Sequence, residues 1–383
     1  MTEHLEREAY WHWFHGLNGI SPKEKQELLK LCSKTALWYE AGCKREIREF
    51  LGPLCETSEI QRDRTEEIIT VLEDVKQREN LQRSYENAKK KGIFMVCPES
   101  ELYPKRLKHI FLPPLMLYYY GSLPKEETPS LAVIGARNCS VYGEEIAGSF
   151  STQLASSGIQ IISGMARGID AAAGRAAINE PGSAYAVLGS GVDICYPREN
   201  KLLYSCLKER GGVISEELPG TPPVSWNFPK RNRIISGLSD AVFVVEAREN
   251  SGSLITVSYA LEQGKEIYAV PGRIYEKLTE GTNRLIQEGA YLVREPEDIL
   301  HGFSEKFVSV FSNNKVKNKN FEKILLASRE KIVYACLSLR PKHIEELQEE
   351  TKMELPELTS LLFDMEMKHY IKQPLKNYFI IQN

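Results

Sequence analysis

The chain has 383 residues, 42% of them hydrophobic and 26% charged, which excludes wholesale disorder. At ~100–200 residues per domain, that length suggests two or three domains. Forty-nine lysines and arginines against 52 aspartates and glutamates leave a net charge of −3, which excludes a uniformly basic binder but not a basic groove on one face.

Residues 1–90 read as a helical domain. Leu28, Leu29, Leu31, Cys32 and Ala36 recur at helical spacing, as do Ile68, Ile69, Leu72 and Val75. Gly16 and Gly19 mark a loop, with Ser21 as an N-cap and Pro22 in the first helical position. A helix-hairpin-helix or sterile-alpha-motif bundle fits this pattern, and so does a plain interaction domain.

Residues 91–302 form the next expected domain. Strands are expected over 131–134, 159–162, 184–188, 212–215, 241–245, 266–270 and 290–293. Helices over 144–156, 171–178 and 254–263 fall between them. This alternation predicts an α/β fold, an extended Rossmann-like parallel sheet with helices on both faces. Ligands of such sheets bind at the carboxyl ends of the strands. A linker is expected over 303–320, rich in Ser, Asn and Lys. Residues 321–383 then read as helices over 321–337, 341–350 and 355–368, with strands over 370–374 and 378–381 around Lys376-Asn377. That pattern suggests a C-terminal winged helix.

The middle domain's loops hold the candidate chemistry. Gly135-Ala136-Arg137 and Ser140 follow the first strand. Gly135 allows close backbone approach, a helix N-terminus offers N–H groups to a phosphate, and Arg137 adds charged donors. The loop matches neither G-x-G-x-x-G nor G-x-x-x-x-G-K-[ST], which disfavours a dinucleotide or P-loop site. Gly164, Arg167 and Asp170 follow the second strand, and the aspartate reads better as a cap or as a holder of Arg167 than as a base. Gly189-Ser190-Gly191, with Tyr196-Pro197 beyond, ends the third and shapes the groove. The segment Trp226-Asn227-Phe228-Pro229-Lys230-Arg231-Asn232-Arg233 sets three cations beside two aromatics, the combination that single-stranded nucleic acid requires. Glu246 suits a structural role, orienting Arg231 or Arg233. Gly252 and Ser253 open a further helix able to take an anion.

No histidine lies between His109 and His301, which leaves no Ser–His or Cys–His pair in the sheet domain. The eight cysteines are scattered without C-x-x-C spacing. Free thiols are expected, with no metal, no cofactor and no catalytic residue. No apolar stretch is long enough for a membrane helix, and Glu3, Glu6, Arg7 and Glu8 precede Trp11 without the order of a signal peptide. The expected setting is the cytoplasm, away from membranes.

From Tyr103-Pro104 to Ile299 the chain resembles the DNA processing protein A (DprA, or Smf) family. The resemblance rests on Gly135-Ala136-Arg137 with Ser140 and Tyr142-Gly143, and on Ser163-Gly164 followed by Gly168-Ile169-Asp170. It continues through Leu188-Gly189-Ser190-Gly191, Ser215-Glu216, Phe228 to Ile235, Val245-Glu246-Ala247, Ser251-Gly252-Ser253 and Ala269-Val270-Pro271-Gly272. Their order and spacing make it specific. It implies a homodimer that binds single-stranded DNA and hands it to the RecA recombinase in natural transformation or homologous recombination. It also implies that Arg137 and the segment from Phe228 to Arg233 hold the DNA. The expected contacts are Gly135, Arg137, Ser140, Gly164, Arg167, Phe228, Lys230, Arg231, Asn232, Arg233, Gly252 and Ser253. One departure is Ala173-Gly174, where the family usually has Ala-His.

Two other readings remain. A nucleotide-processing hydrolase would use Asp170 or Glu246, but its P-G-G-x-G-T loop has only Pro271-Gly272-Arg273 as a counterpart. A duplex-binding regulator would read DNA with the winged helix. Its recognition helix, however, carries Glu354, Glu357, Asp364 and Glu366 against Lys352 and Lys368.

Overall fold

In a computed structural model, residues 5–51, 62–180, 183–306, 328–337, 341–368 and 370–381 are described. Six helices come first: α1 (Arg7–Gly16), α2 (Pro22–Leu31), α3 (Thr35–Lys44), α4 (Ile47–Leu51), α5 (Arg62–Leu72) and α6 (Val75–Lys90). Local chemistry starts two of them. Ser21 and Glu24 form a capping box on α2, with Pro22 in the first turn, and Asp74 caps α6 through the N–H of Gln77.

A nine-stranded sheet follows. Its strands are β1 (Phe94–Val96), β2 (Leu117–Gly121), β3 (Ser130–Ile134), β4 (Gln160–Ser163), β5 (Ala184–Leu188), β6 (Gly212–Ser215), β7 (Ala241–Val244), β8 (Glu266–Ala269) and β9 (Tyr291–Leu292). The order is β1-β2-β6-β5-β4-β3-β7-β8-β9. From β6 to β9 every pairing is parallel; β1 and β2 extend the β6 edge antiparallel. All seven expected strands are present. The two additional edge strands make the sheet mixed. The intervening helices are α7 (Val141–Ser156), α8 (Ile169–Ala177), α9 (Lys201–Arg210), α10 (Asn227–Gly237), α11 (Ser253–Glu262), α12 (Glu280–Gln287) and α13 (Pro296–Lys306).

Alternation along each strand feeds two cores. Leu131 and Val133 face one side of β3, and Ala132 and Ile134 the other. The first core continues without a break into the N-terminal helices through Tyr118, Met116, Leu81 and Phe14. His12 Nδ1 meets the Tyr118 hydroxyl at 2.8 Å, which ties α1 to β2. The helical segment is thereby seated on the sheet edge that β1 and β2 form.

The C-terminal residues form α14 (Ser328–Cys336), β10 (Lys342–His343), α15 (Ile344–Thr351), α16 (Leu355–Met367), β11 (Ile371–Leu375) and β12 (Tyr378–Ile381). The strands pair antiparallel in the order β10-β12-β11 around a core of Val333, Leu347, Leu358, Leu362, Met365, Ile371 and Phe379. Asn377 makes the hairpin turn at φ +66°, the left-handed region that Asn tolerates. The helix expected from 341 starts at Ile344, because Lys342 and His343 pair with β12. The expected linker begins inside α13, whose last residue is Lys306; its remainder, 307–320, and residues 321–327 of the helix expected after it lie outside the described residues. Among the described residues, no helix is long and apolar enough to cross a membrane.

Candidate nucleic-acid interface

The strand order reverses direction between β3 and β7, and in such sheets the carboxyl ends of the strands at this point are where ligands bind. Gly135 lies where the two loops touch. A Cβ there would stand 2.6 Å from Ile169 Cγ1 and 2.9 Å from the Glu246 carbonyl, so its lack of a side chain serves the packing of the loops. The N-terminus of α7 is also taken. Ser140 caps it by accepting from Gly143 N–H at 3.0 Å. The buried Glu246 carboxylate accepts from Ser140 N–H at 2.8 Å and from the Ser140 hydroxyl at 2.5 Å. An internal carboxylate thus meets the positive end of the helix, where an anion is expected from the sequence. Glu246 orients Ser140, not Arg231 or Arg233.

Arg137 is exposed and makes no hydrogen bond or salt bridge among the described residues. Its guanidinium lies 5.8 Å from the centre of the Phe228 ring. Arg231 lies 5.9 Å from the same ring, and the Tyr196 ring is 5.4 Å away at 40°. The ring is seated on the loop after β5, where a Cβ on Gly189 would come within 2.9 Å of Phe228 Cδ1. One exposed cation over a half-buried ring is worth only about 0.5–1 kcal/mol, so a partner with a better offer displaces it readily.

Arg231 differs from Arg137 in every respect but charge. It is buried and donates to the carbonyls of Gly164, at 3.0 Å, and Val187, binding the ends of β4 and β5 together. Burial pushes its guanidinium down to about 10, against the pull of Asp170. Asp170 accepts from the N–H groups of Gly164 at 3.0 Å and Ala166 at 3.4 Å. Burial raises its carboxyl while Arg231 draws it down. Asp170 therefore holds the β4 loop and faces Arg231. Arg167, which the sequence reading assigns to it, is paired instead with Glu199 at 2.5 and 3.0 Å. Asn232 accepts from Arg231 Nε at 3.3 Å and donates to the Gly252 carbonyl at 3.4 Å, linking α10 to the β7 loop. Gly252 is exposed with no atom within 4 Å of a Cβ position, and the Ser253 hydroxyl lies 2.8 Å from that of Ser251.

The structure thus gathers Gly135, Arg137, Ser140, Gly164, Phe228, Arg231, Asn232, Gly252 and Ser253 at one edge, with the Arg167–Glu199 pair beside them. Lys230 and Arg233 lie on another flank of α10. Arg233 is buried against Glu216 Oε1 at 2.7 Å, and Lys230 stands 3.2 Å from both Glu216 and Glu217. Burial would raise the Glu216 carboxyl, but Arg233 and Lys230 outweigh it and hold it at about 2. A cleft of about 350 Å³ opens beside them, bounded by Lys25, Leu17 and the Gly16–Ile20 loop. Two aromatics at this edge are absent from the expected contacts. Tyr196 is 43% exposed and Trp226 is 71% exposed. Both stand in motifs visible in the sequence, but only the fold shows that they face solvent.

A Rossmann-like sheet with glycine-bearing loops, and with the exposed Arg137 beside Phe228 and Tyr196 at the carboxyl ends of its strands, defines a class: α/β proteins with a doubly wound sheet whose loops carry the candidate site. Comparison with known proteins narrows it. Residues 94–304 match the model of the family described as DNA recombination-mediator protein A. Protein Smf of Escherichia coli is 38% identical over 280 residues, 72% of this chain and 74% of that one. DNA processing protein DprA of Streptococcus pneumoniae is 42% identical over 207 residues, 53% of this chain and 72% of its own. The X-ray structure of DprA from that organism superposes with a TM-score of 0.62 at 32% identity, covering 78% of this chain and 98% of the other. A Helicobacter pylori DNA processing protein A, solved for its single-stranded DNA binding mode, superposes with a TM-score of 0.51 at 26% identity over 56% of this chain and 96% of its own. The chain belongs to the DNA recombination-mediator protein A family.

Proposed function

We propose that this protein binds single-stranded DNA, with little sequence preference, along the carboxyl edge of its sheet, and assists the loading of RecA onto that strand in homologous recombination or natural transformation. The observation that carries the reading is Arg137 held over Phe228 without an ion pair. An unpaired base replaces the guanidinium on the ring face, and the freed Arg137 neutralises the adjoining phosphate. A stacked base is worth about 1–3 kcal/mol, more than the cation–ring contact it displaces. Asn232, Gly252 and Ser253 border the same path, and Arg167 reaches it once Glu199 is exchanged for a phosphate. Gly135, Ser140, Gly164 and Arg231 form the frame that holds these groups in place. The Helicobacter pylori relative, solved for its single-stranded DNA binding mode, supports the reading.

The activity we infer is binding rather than turnover. Asp170 and Glu246, the carboxylates a hydrolase would use here, each accept two hydrogen bonds from the loops of the frame, Asp170 from its own loop and Glu246 from Ser140. A homodimer working in the cytoplasm, with RecA as its protein partner, completes the proposal, and these points rest on family membership.

Fluorescence anisotropy with labelled oligo-dT and its duplex, at two salt concentrations, tests it. Wild type should prefer the single strand with a salt slope near −0.7 per phosphate contacted, and Arg137→Ala should bind more weakly. Preference for the duplex, unmoved by Arg137→Ala, would overturn it.

A further inference from the structure

Three of the four tryptophans are buried: Trp11 is 4% exposed, Trp13 2% and Trp38 0%. Trp226 is 71% exposed. Among the described residues its ring stacks on nothing and its indole N–H has no acceptor. An uncovered indole of this size forgoes most of the 150–250 Å² that an aromatic side chain normally buries. Its backbone is nonetheless set firmly. It occupies the N-cap position of α10, follows Pro222-Pro223 closely, and precedes an N–H that donates from Asn227 to the Val224 carbonyl at 3.1 Å. The ring is exposed on a fixed support.

Its neighbours indicate what covers it. Phe228, two residues on, carries Arg137 and touches Tyr196. Lys230, four residues on and so on the same flank of the helix as Trp226, has a partly exposed side chain whose ammonium stands 3.2 Å from Glu216 and Glu217 and meets a phosphate by exchange for one of them. The first turn of α10 holds no acidic residue, and the positive end of the helix points the same way. Ring faces and cations alternate round this end of the helix, which suits a chain of bases and phosphates.

We infer that Trp226 is a second base-stacking platform: the single strand leaves the Phe228–Arg137 site, turns round the N-terminus of α10, and lays a further base on Trp226 with a phosphate toward Lys230. The inference rests on the single-strand reading above and extends it to a longer footprint.

Trp226 is the exposed tryptophan of the four, so intrinsic fluorescence reads the contact directly. Unlabelled oligo-dT should quench the emission of the full chain. Trp226→Phe should keep near wild-type affinity by anisotropy and lose the quenching, because a phenyl ring still stacks. Trp226→Ala should bind about tenfold more weakly with an unchanged circular dichroism spectrum and Tm. Wild-type affinity in Trp226→Ala, or binding that leaves the wild-type emission unmoved, would overturn the platform. If Arg137→Ala still weakens binding in that case, the single-strand reading stands without it. No anisotropy change for wild type would overturn both.

Discussion

Glu246 holds the N-cap of α7 from 106 residues further along the chain: its carboxylate takes both the N–H and the hydroxyl of Ser140. The bond joins the loops after β3 and β7 across the switch point, and Arg137 rides on the loop so fixed. Glu246→Ala leaves the half-buried Ser140 N–H and hydroxyl without this acceptor, a cost of about 1 kcal/mol. We expect a lower Tm and weaker oligo-dT binding together, with Glu246→Gln keeping most of both because an amide oxygen still accepts. An unchanged Tm in Glu246→Ala would show that the bond does not hold the loop.

Arg137→Ala should separate binding from folding. The side chain is exposed and its contact with Phe228 is weak, so the Tm should stay within a degree or two of wild type, a surface change being worth about 0.5 kcal/mol or less. Affinity for oligo-dT should fall, and the slope of log K against log salt should shrink by about 0.7 if one phosphate contact is lost. Weaker binding with an unaltered slope would mean that Arg137 shapes the site without meeting a phosphate.

Arg231→Ala should do the opposite. Its guanidinium is buried between the carbonyls of Gly164 and Val187 and faces Asp170. Removing it leaves the buried Gly164 and Val187 carbonyls without their donor and takes opposing charge from Asp170, a loss of at least about 1–3 kcal/mol. Urea unfolding should register this as a large drop in midpoint. A midpoint near wild type with lost DNA binding would place Arg231 on the ligand instead of in the frame.

Most of the fold was legible in the sequence because the buried strands are short apolar runs, such as Leu131-Ala132-Val133-Ile134, flanked by turn residues. The capping box at Ser21 and the turn at Asn377 could be read for the same reason: both depend on local chemistry. Strands β1 and β2 carry no such signal. Three residues make β1, and Leu117–Gly121 follows Pro113-Pro114 without the helix-strand alternation that marks its neighbours. The residue types of the candidate site could be read too, but their partners could not. Lys230, Arg231 and Arg233 look equivalent in a stretch with no assigned element. Once the stretch is the first turns of α10, helical phase turns Arg231 onto the ends of β4 and β5, and Arg233 onto Glu216. Glu246 is likewise opaque from sequence, since nothing local ties it to Ser140.

Acid should loosen the seat of the helical segment on the sheet before it reaches the candidate site. His12 meets the Tyr118 hydroxyl, and His15 Nε2 donates to the Glu216 carbonyl at 2.8 Å. Burial pushes His12 down to about 4; burial, and then the charge of Lys25, push His15 down to about 3. Both therefore stay neutral in the folded chain at pH 5.5, whereas in the unfolded chain histidine takes a proton near 6.5. The unfolded state binds more protons across this window, so stability is complete above pH 6.5 and falls as the pH drops toward 4. One pH unit below 6.5 the loss is about 1.4 kcal/mol for each histidine. Thermal melts at pH 7.5 and 5.5 should show a marked drop in Tm for wild type, and a smaller drop for His15→Gln, whose amide can still donate to the Glu216 carbonyl. An equal drop in the two proteins would mean that His15 does not carry the acid sensitivity.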